Sequence, residues 1–231
     1  MLKKEFVFYV FYFLVVLSLL YGVIIFDYRV MFISSFTIII YLVLYIIKKV
    51  KCLRLSFFVK LLIHIFLFCS LILGEVFGFY SFISYWDILL HFIASIITSY
   101  LGLLIFKKNV SFVNKSIVFL CVLFSFCFSM SLGVIWEFVE FGFDKYLGCD
   151  MQKDTYLTHF NTFNFDNSET YRVNNIIKTE IYTKNGLILL DKAYLDIGLS
   201  DTISDLFANV CGAFVVSMVG SYLLFLKEKR T

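Results

Sequence analysis

The residues best able to do chemistry lie in three short stretches. The stretch 131–144, SLGVIWEFVEFGFD, ends a long apolar run and carries Glu137, Glu140 and Asp144. At about 100° per residue, these acids fall within roughly 60° of one another on a helix. A second stretch, 86–91, reads WDILLH and places Asp87 four residues before His91. The third, 201–209, reads DTISDLFAN and spaces Asp201, Asp205 and Asn209 by four. A carboxylate in or near lipid is costly, so it faces protein, water or an ion. The three polar faces are therefore expected to meet in one site.

Three chemistries suit such a site. Asp87, His91, Glu140, Asp201 and Asp205 could bind a divalent metal, with Zn, Mn or Mg all compatible with carboxylates and one imidazole. Spacings of three and four put paired ligands on one helix face, as in bundles that hold metals between helices. Without a metal, His91, oriented by Asp87 or by a carboxylate of the fifth helix, could act as a base and Glu140 as an acid, with Glu137 and Asp205 completing the catalytic set. The same carboxylates could instead pass ions or protons, because Ser95, Thr98 and Gly102 continue one polar face and Ser125, Ser129 and Gly133 another. Small residues on a helix face more often mean close packing than a pore. Trp86, Trp136, Asn209 and Glu75 are the candidate ligand-contacting residues around the cluster. Both tryptophans also suit interfacial anchoring. Lys60 and His64, four apart, read as a structural pair.

These stretches must be carried by membrane helices. The chain has 231 residues, is 61% hydrophobic and 20% aromatic, and contains no proline; its mean hydropathy is +0.91. That excess over a soluble domain points to an all-α polytopic membrane protein with mostly unkinked helices. Apolar runs predict six spans at about 6–26, 30–47, 56–76, 86–106, 117–141 and 202–226, which makes 1–231 a single membrane domain. The first run is long enough to span and lacks a small-residue cleavage pattern, so it reads as a retained helix. Six cysteines without a CxxC pair read mainly as small buried hydrophobes. No basic stripe or nucleic-acid motif is present.

Charge sets the expected orientation. Lys3, Lys4, Lys48, Lys49, Lys51, Arg54, Lys107, Lys108, Lys115, Lys227, Lys229 and Arg230 all fall on one side of a six-span topology. Basic excess in short loops marks the cytoplasmic side, so both termini are expected there. The three polar faces then lie in or at the outer leaflet, and 142–199 becomes an extracytoplasmic segment. Within it, 176–184 and 187–194 flank Asn185-Gly186, which predicts a small β-hairpin in the loop between helices 5 and 6. Asn109-Val110-Ser111 and Asn114-Lys115-Ser116 match the glycosylation pattern, but on the inner side they read as chance matches.

WDILLHF (86–92), WEFVEFGFD (136–144), Met151-Gln152, Gly74-Glu75 and GLSDTISDLFANVCGA (198–213) together resemble the YjdF-like family of uncharacterised bacterial inner-membrane proteins. The wider pattern is similar to VanZ-like proteins, whose founding member is linked to glycopeptide (teicoplanin) resistance. Asp87–Phe92 matches their Asp-x3-His-Phe, and Asp205, Asn209 and Gly212 match Asp-x3-Asn-x2-Gly. Glu140 stands where that pattern carries Gln, and 153–195 reads as an insertion. The resemblance implies a multi-pass inner-membrane protein of the cell envelope. With the cluster's depth, the functional expectation is a site that binds or processes a lipid-linked or amphiphilic ligand, such as a lipid-linked envelope precursor. Ion- or proton-coupled transport is the alternative, and a structural or partner-binding role the second.

Overall fold

A computed structural model describes residues 2–50, 55–110, 114–162, 171–173 and 175–228. The basic residues Lys51, Arg54, Lys229 and Arg230 of the orientation argument, and Ser111 of the first glycosylation match, lie outside the described residues. Among the described residues, seven α-helices and six strands follow in order: α1 (Leu2–Ile24), α2 (Tyr28–Val50), α3 (Phe57–Leu67), α4 (Phe79–Phe82), α5 (Trp86–Lys108), α6 (Lys115–Leu147), β1 (Thr155–Leu157), β2 (Phe160–Thr162), β3 (Tyr171–Val173), β4 (Lys178–Thr183), β5 (Gly186–Asp191), β6 (Tyr194–Asp196) and α7 (Leu199–Glu228). Among the described residues, six helices are long and apolar enough to cross a membrane. The fold is that of a polytopic membrane protein. The helix carrying Glu137 runs on to Leu147, past the expected end at 141, and α7 begins at Leu199 rather than 202.

The chain divides into two compact units, Met1–Gly133 with Ala208–Thr231, and Val134–Phe207. In the first unit, local signals start the helices. Asp27 Oδ1 accepts the amides of Arg29 and Val30 at the head of α2. Ser56 caps α3 through the Val59 amide, and Asn114 caps α6 through the Ile117 amide. Asn114 thus has a plain structural use, since an Asn side chain satisfies an amide that the first turn leaves open. Helices α1 and α2 meet through a 2.9 Å Ser18–Ser34 hydroxyl bond and the close approach of Gly22 to Val30.

The third span departs from the expected straight helix. After α3 the chain winds as a π-helix over Phe68–Val76. Proline is therefore not needed to alter a helix here; the hydrogen-bond register itself shifts. Gly74 sits in this stretch with the Tyr80 ring where a Cβ would project. His64 pairs with the Lys60 backbone: its Nδ1 lies 2.7 Å from the Lys60 carbonyl oxygen. Its ring stacks on Tyr41 at 5.0 Å and packs against Phe8 at 4.7 Å.

The second unit holds the end of α6, all six strands and the start of α7. The strands pair as three separate antiparallel ladders, β1–β6, β2–β3 and β4–β5. The sequence predicted one hairpin; β4–β5 is that hairpin, and the other two ladders are additional. Its turn is displaced by one residue. Thr183 pairs with Gly186, so Lys184-Asn185 forms the turn instead of Asn185-Gly186. Thr183 Oγ1 accepts the Asn185 amide and donates to the Gly186 carbonyl. Gly186 takes φ +133°, while Lys184 and Asn185 stay at negative φ. A Thr at the first position and a Gly at the fourth suit that turn, and outcompete the Asn-Gly signal.

Candidate functional site

In the second unit, α6 and α7 supply three carboxylates to one place. Glu137, Glu140 and Asp205 each offer an oxygen within 4.8 Å of the others. All three are buried, and Asp205 is 0% exposed. Asp201, one turn before Asp205, also offers an oxygen within 4.8 Å of it. The spacing of three between Glu137 and Glu140 puts both on one face of α6, as the sequence implied. Trp136 Nε1 donates to Glu140 Oε1 at 2.7 Å, fixing that carboxylate from its own helix.

The loop after α6 is locked to the start of α7 by a polar clasp. Asp144 accepts the backbone amides of Met151 at 2.6 Å and Gln152 at 2.8 Å. Gln152 Nε2 donates to Thr202 Oγ1 at 2.6 Å, and the Lys153 amide donates to Asp201 Oδ2 at 2.9 Å. Gly198 adopts φ +109°, and a Cβ there would meet Gln152 Cβ at 2.7 Å. The β1–β6 ladder, Thr155 opposite Asp196, continues the closure. Asp144 is therefore a loop anchor, although its spacing placed it with the other acids. Gln152, Thr202 and the Lys153 backbone were missed as supporting residues. Their partners lie about fifty residues away, so no local period could reveal them.

In the first unit, Asp87 and His91 form an i, i+4 pair with Oδ1 and Nε2 3.7 Å apart, both buried. Trp86 lies edge-on to Phe79 at 5.0 Å. Asn209 is buried, with its amide nitrogen where a Cβ on Gly133 would fall 2.5 Å away. Glu75 accepts an ion pair from Arg29 at 2.7 Å at an exposed position.

The small polar residues of α5 and α6 form a packing seam. Ser99 and Ser125 hydroxyls bond at 2.8 Å, and Ser125 also donates to the Ser99 carbonyl at 2.6 Å. Thr98 and Ser129 hydroxyls bond at 2.8 Å, and Ser129 donates to the Ser95 carbonyl at 3.1 Å. Gly102 faces Ser125 Cα, where a Cβ would come to 3.0 Å. Hydroxyls engaged with each other and with the neighbouring backbone hold helices together. Helix α7 joins through Gly212, which is set against Ser95 and the Phe92 carbonyl, and through the Ala213 carbonyl, which accepts Ser99 Oγ.

Outside the spanning segments, partial desolvation raises the exposed Asp150 carboxyl above its ordinary value, helped by Asp154 and Asp144. Glu180 is lowered by its bonds to Lys178 and Tyr182.

With this geometry in hand, residues 6–225 match the family described as "Predicted membrane protein (DUF2238)". The chain belongs to this family. It is also 31% identical over 103 residues to an uncharacterised protein of Thermotoga maritima, a match covering 45% of this chain and 53% of that relative. The chain thus spans about half the length of that relative. No solved structure matches the chain significantly. The clasp and the carboxylate cluster both lie inside the family match.

Proposed function

We propose that this family member is a multi-pass protein of the bacterial inner membrane, with both termini cytoplasmic. Its buried carboxylates would hold a divalent cation and engage a lipid-linked or amphiphilic ligand from the outer side. The observation carrying this reading is the convergence of Glu137, Glu140 and Asp205 from two helices within 4.8 Å. At that separation and an effective dielectric of about 20, each charged pair repels by about 3 kcal/mol. A cation among them reverses the sign of the interaction. Oxygens around Mg or Mn at about 2.1 Å lie within about 4.2 Å of one another, so little movement is needed.

Asp201 would extend the acidic surface by one turn of α7, and Trp136 would hold Glu140 in its binding orientation. Asp87 would orient His91 as the candidate base, with Trp86, Asn209 and Glu75 as candidate ligand contacts. The outer placement rests on the lysine and arginine asymmetry, and the envelope role on the YjdF-like and VanZ-like resemblance. The α5–α6 seam favours this reading over ion passage, because its hydroxyls are committed to packing.

The test is metal content and Mn titration of purified protein, comparing wild type with Glu137→Gln/Glu140→Gln and Asp205→Asn. Loss of stoichiometric metal in both variants supports the reading; equal content in all three proteins removes the cation from it. His91→Ala is the separate arm: loss of metal would add the imidazole to the ligand set, and unchanged content would leave carboxylates alone. Ion uptake into proteoliposomes that Glu140→Gln abolishes would replace the reading with transport.

A further inference from the structure

The β4–β5 hairpin breaks a rule that most surface hairpins obey. A hairpin resting on protein buries one face and alternates apolar with polar residues. Here the second strand carries four consecutive apolar residues, Leu187-Ile188-Leu189-Leu190. The register sends them to opposite faces: Ile188 pairs with Ile181 on one, while Leu187 beside Tyr182, and Leu189, lie on the other. Both faces are open, with Ile188 49% and Leu189 53% exposed and Tyr182 78% exposed. Among the described residues, no third strand joins this ladder. A lone two-stranded ladder with apolar groups on both faces is marginal in water.

A flat protein partner would cover one face or one edge. Only a surrounding medium meets both faces together. The nearest such medium is the bilayer itself. β5 ends at Asp191 and α7 begins at Leu199, so the hairpin is tethered within eight residues of a helix long and apolar enough to cross a membrane. In the same unit, Leu199, Ile203 and Phe207 form an exposed apolar stripe at spacing four along the start of α7. Such a tether gives lipid contact a high effective concentration. Charge agrees. Glu180 holds Lys178 in a 2.6 Å ion pair, while Lys184 stands exposed at the turn, where its stem can reach toward acidic headgroups. Tyrosine is itself a residue of membrane–water interfaces.

We propose that the tip of the β4–β5 hairpin is a lipid contact. Ile181, Tyr182, Leu187, Ile188 and Leu189 enter the headgroup–acyl boundary on the side of the membrane where α7 begins. The contact anchors the segment between α6 and α7 to the bilayer as a second, interfacial attachment. It is independent of any cation at the carboxylates.

The test uses the full chain in vesicles of phosphatidylethanolamine and phosphatidylglycerol, with p-benzoyl-phenylalanine placed at Ile188 and, separately, at Leu189. Tyr182, an aromatic of similar shape, is a third position where the substitution disturbs least. After irradiation, intact mass is measured. The expected result is protein plus one phospholipid at positions on both faces. Cross-linking to a second copy or another protein, lipid adducts from one face only, or no adduct at any position would each overturn the proposal.

Discussion

Gly212→Ala should loosen the seam between α5 and α7 by an amount the structure allows us to work out. A Cβ at position 212 would collide with Ser95 Oγ and come within 2.5 Å of the Phe92 carbonyl oxygen. Ser95 has little room to retreat: it is 1% exposed, and its hydroxyl already donates to that carbonyl at 2.8 Å. The second obstacle is backbone, so the helices themselves must part. Overpacking of this kind costs about 1–3 kcal/mol, and a backbone obstacle places it near the upper end. The better helix propensity of Ala returns about 0.5–1 kcal/mol, leaving a net loss of about 2 kcal/mol. Ser95→Ala alone should cost about 1 kcal/mol for its hydrogen bond. The double variant removes the nearer obstacle and leaves the carbonyl, so it should be less destabilised than the sum by about 1 kcal/mol. Reversible unfolding in mixed micelles measures all four corners of the cycle. Gly142→Ala is the control, because no atom lies within 4 Å of its Cβ position; it should be neutral or slightly stabilising. A Gly212→Ala protein within 0.5 kcal/mol of wild type, or strict additivity in the cycle, would refute the reasoning. The loss matters for the carboxylates because α7 also carries Asp205.

Gln152→Ala removes the bond to Thr202 and should cost about 1 kcal/mol, read as faster trypsin cleavage within 153–195. Gly198→Ala should do the same, by strain at φ +109° together with a clash against Gln152. Ser125→Ala should destabilise the α5–α6 seam by about 1 kcal/mol without creating ion leakage in proteoliposomes. The Asp150 carboxyl is raised in the folded chain, so the native state holds its proton more tightly than the unfolded one. Stability is therefore lost as pH rises through the window between the ordinary value and the raised one. Asp150→Asn should be more stable than wild type at neutral pH, with the gap closing in acid; a gap that widens in acid would contradict the assignment.

The sequence carried most features encoded within a few turns of chain, though not the π-helical register of Phe68–Val76. Apolar runs marked six spans because lipid solvates only helices whose backbone bonds are internal. Spacings of three and four put Glu137 with Glu140, and Asp201 with Asp205, on common faces. Thr183 to Gly186 encoded a turn, although the Asn-Gly pair pointed one residue too far along, since turn type depends on which residue takes positive φ. Tertiary structure decided whatever joined residues remote in sequence. Asp205 meets Glu137 and Glu140 only because α6 and α7 pack. Asp144 left the acidic group to bind the amides of Met151 and Gln152, and Gln152 and Lys153 reach α7 about fifty positions on. The serines that could have lined a path became a seam once their partners were known. Periodicity fixes which face a side chain occupies; only packing fixes what that face meets.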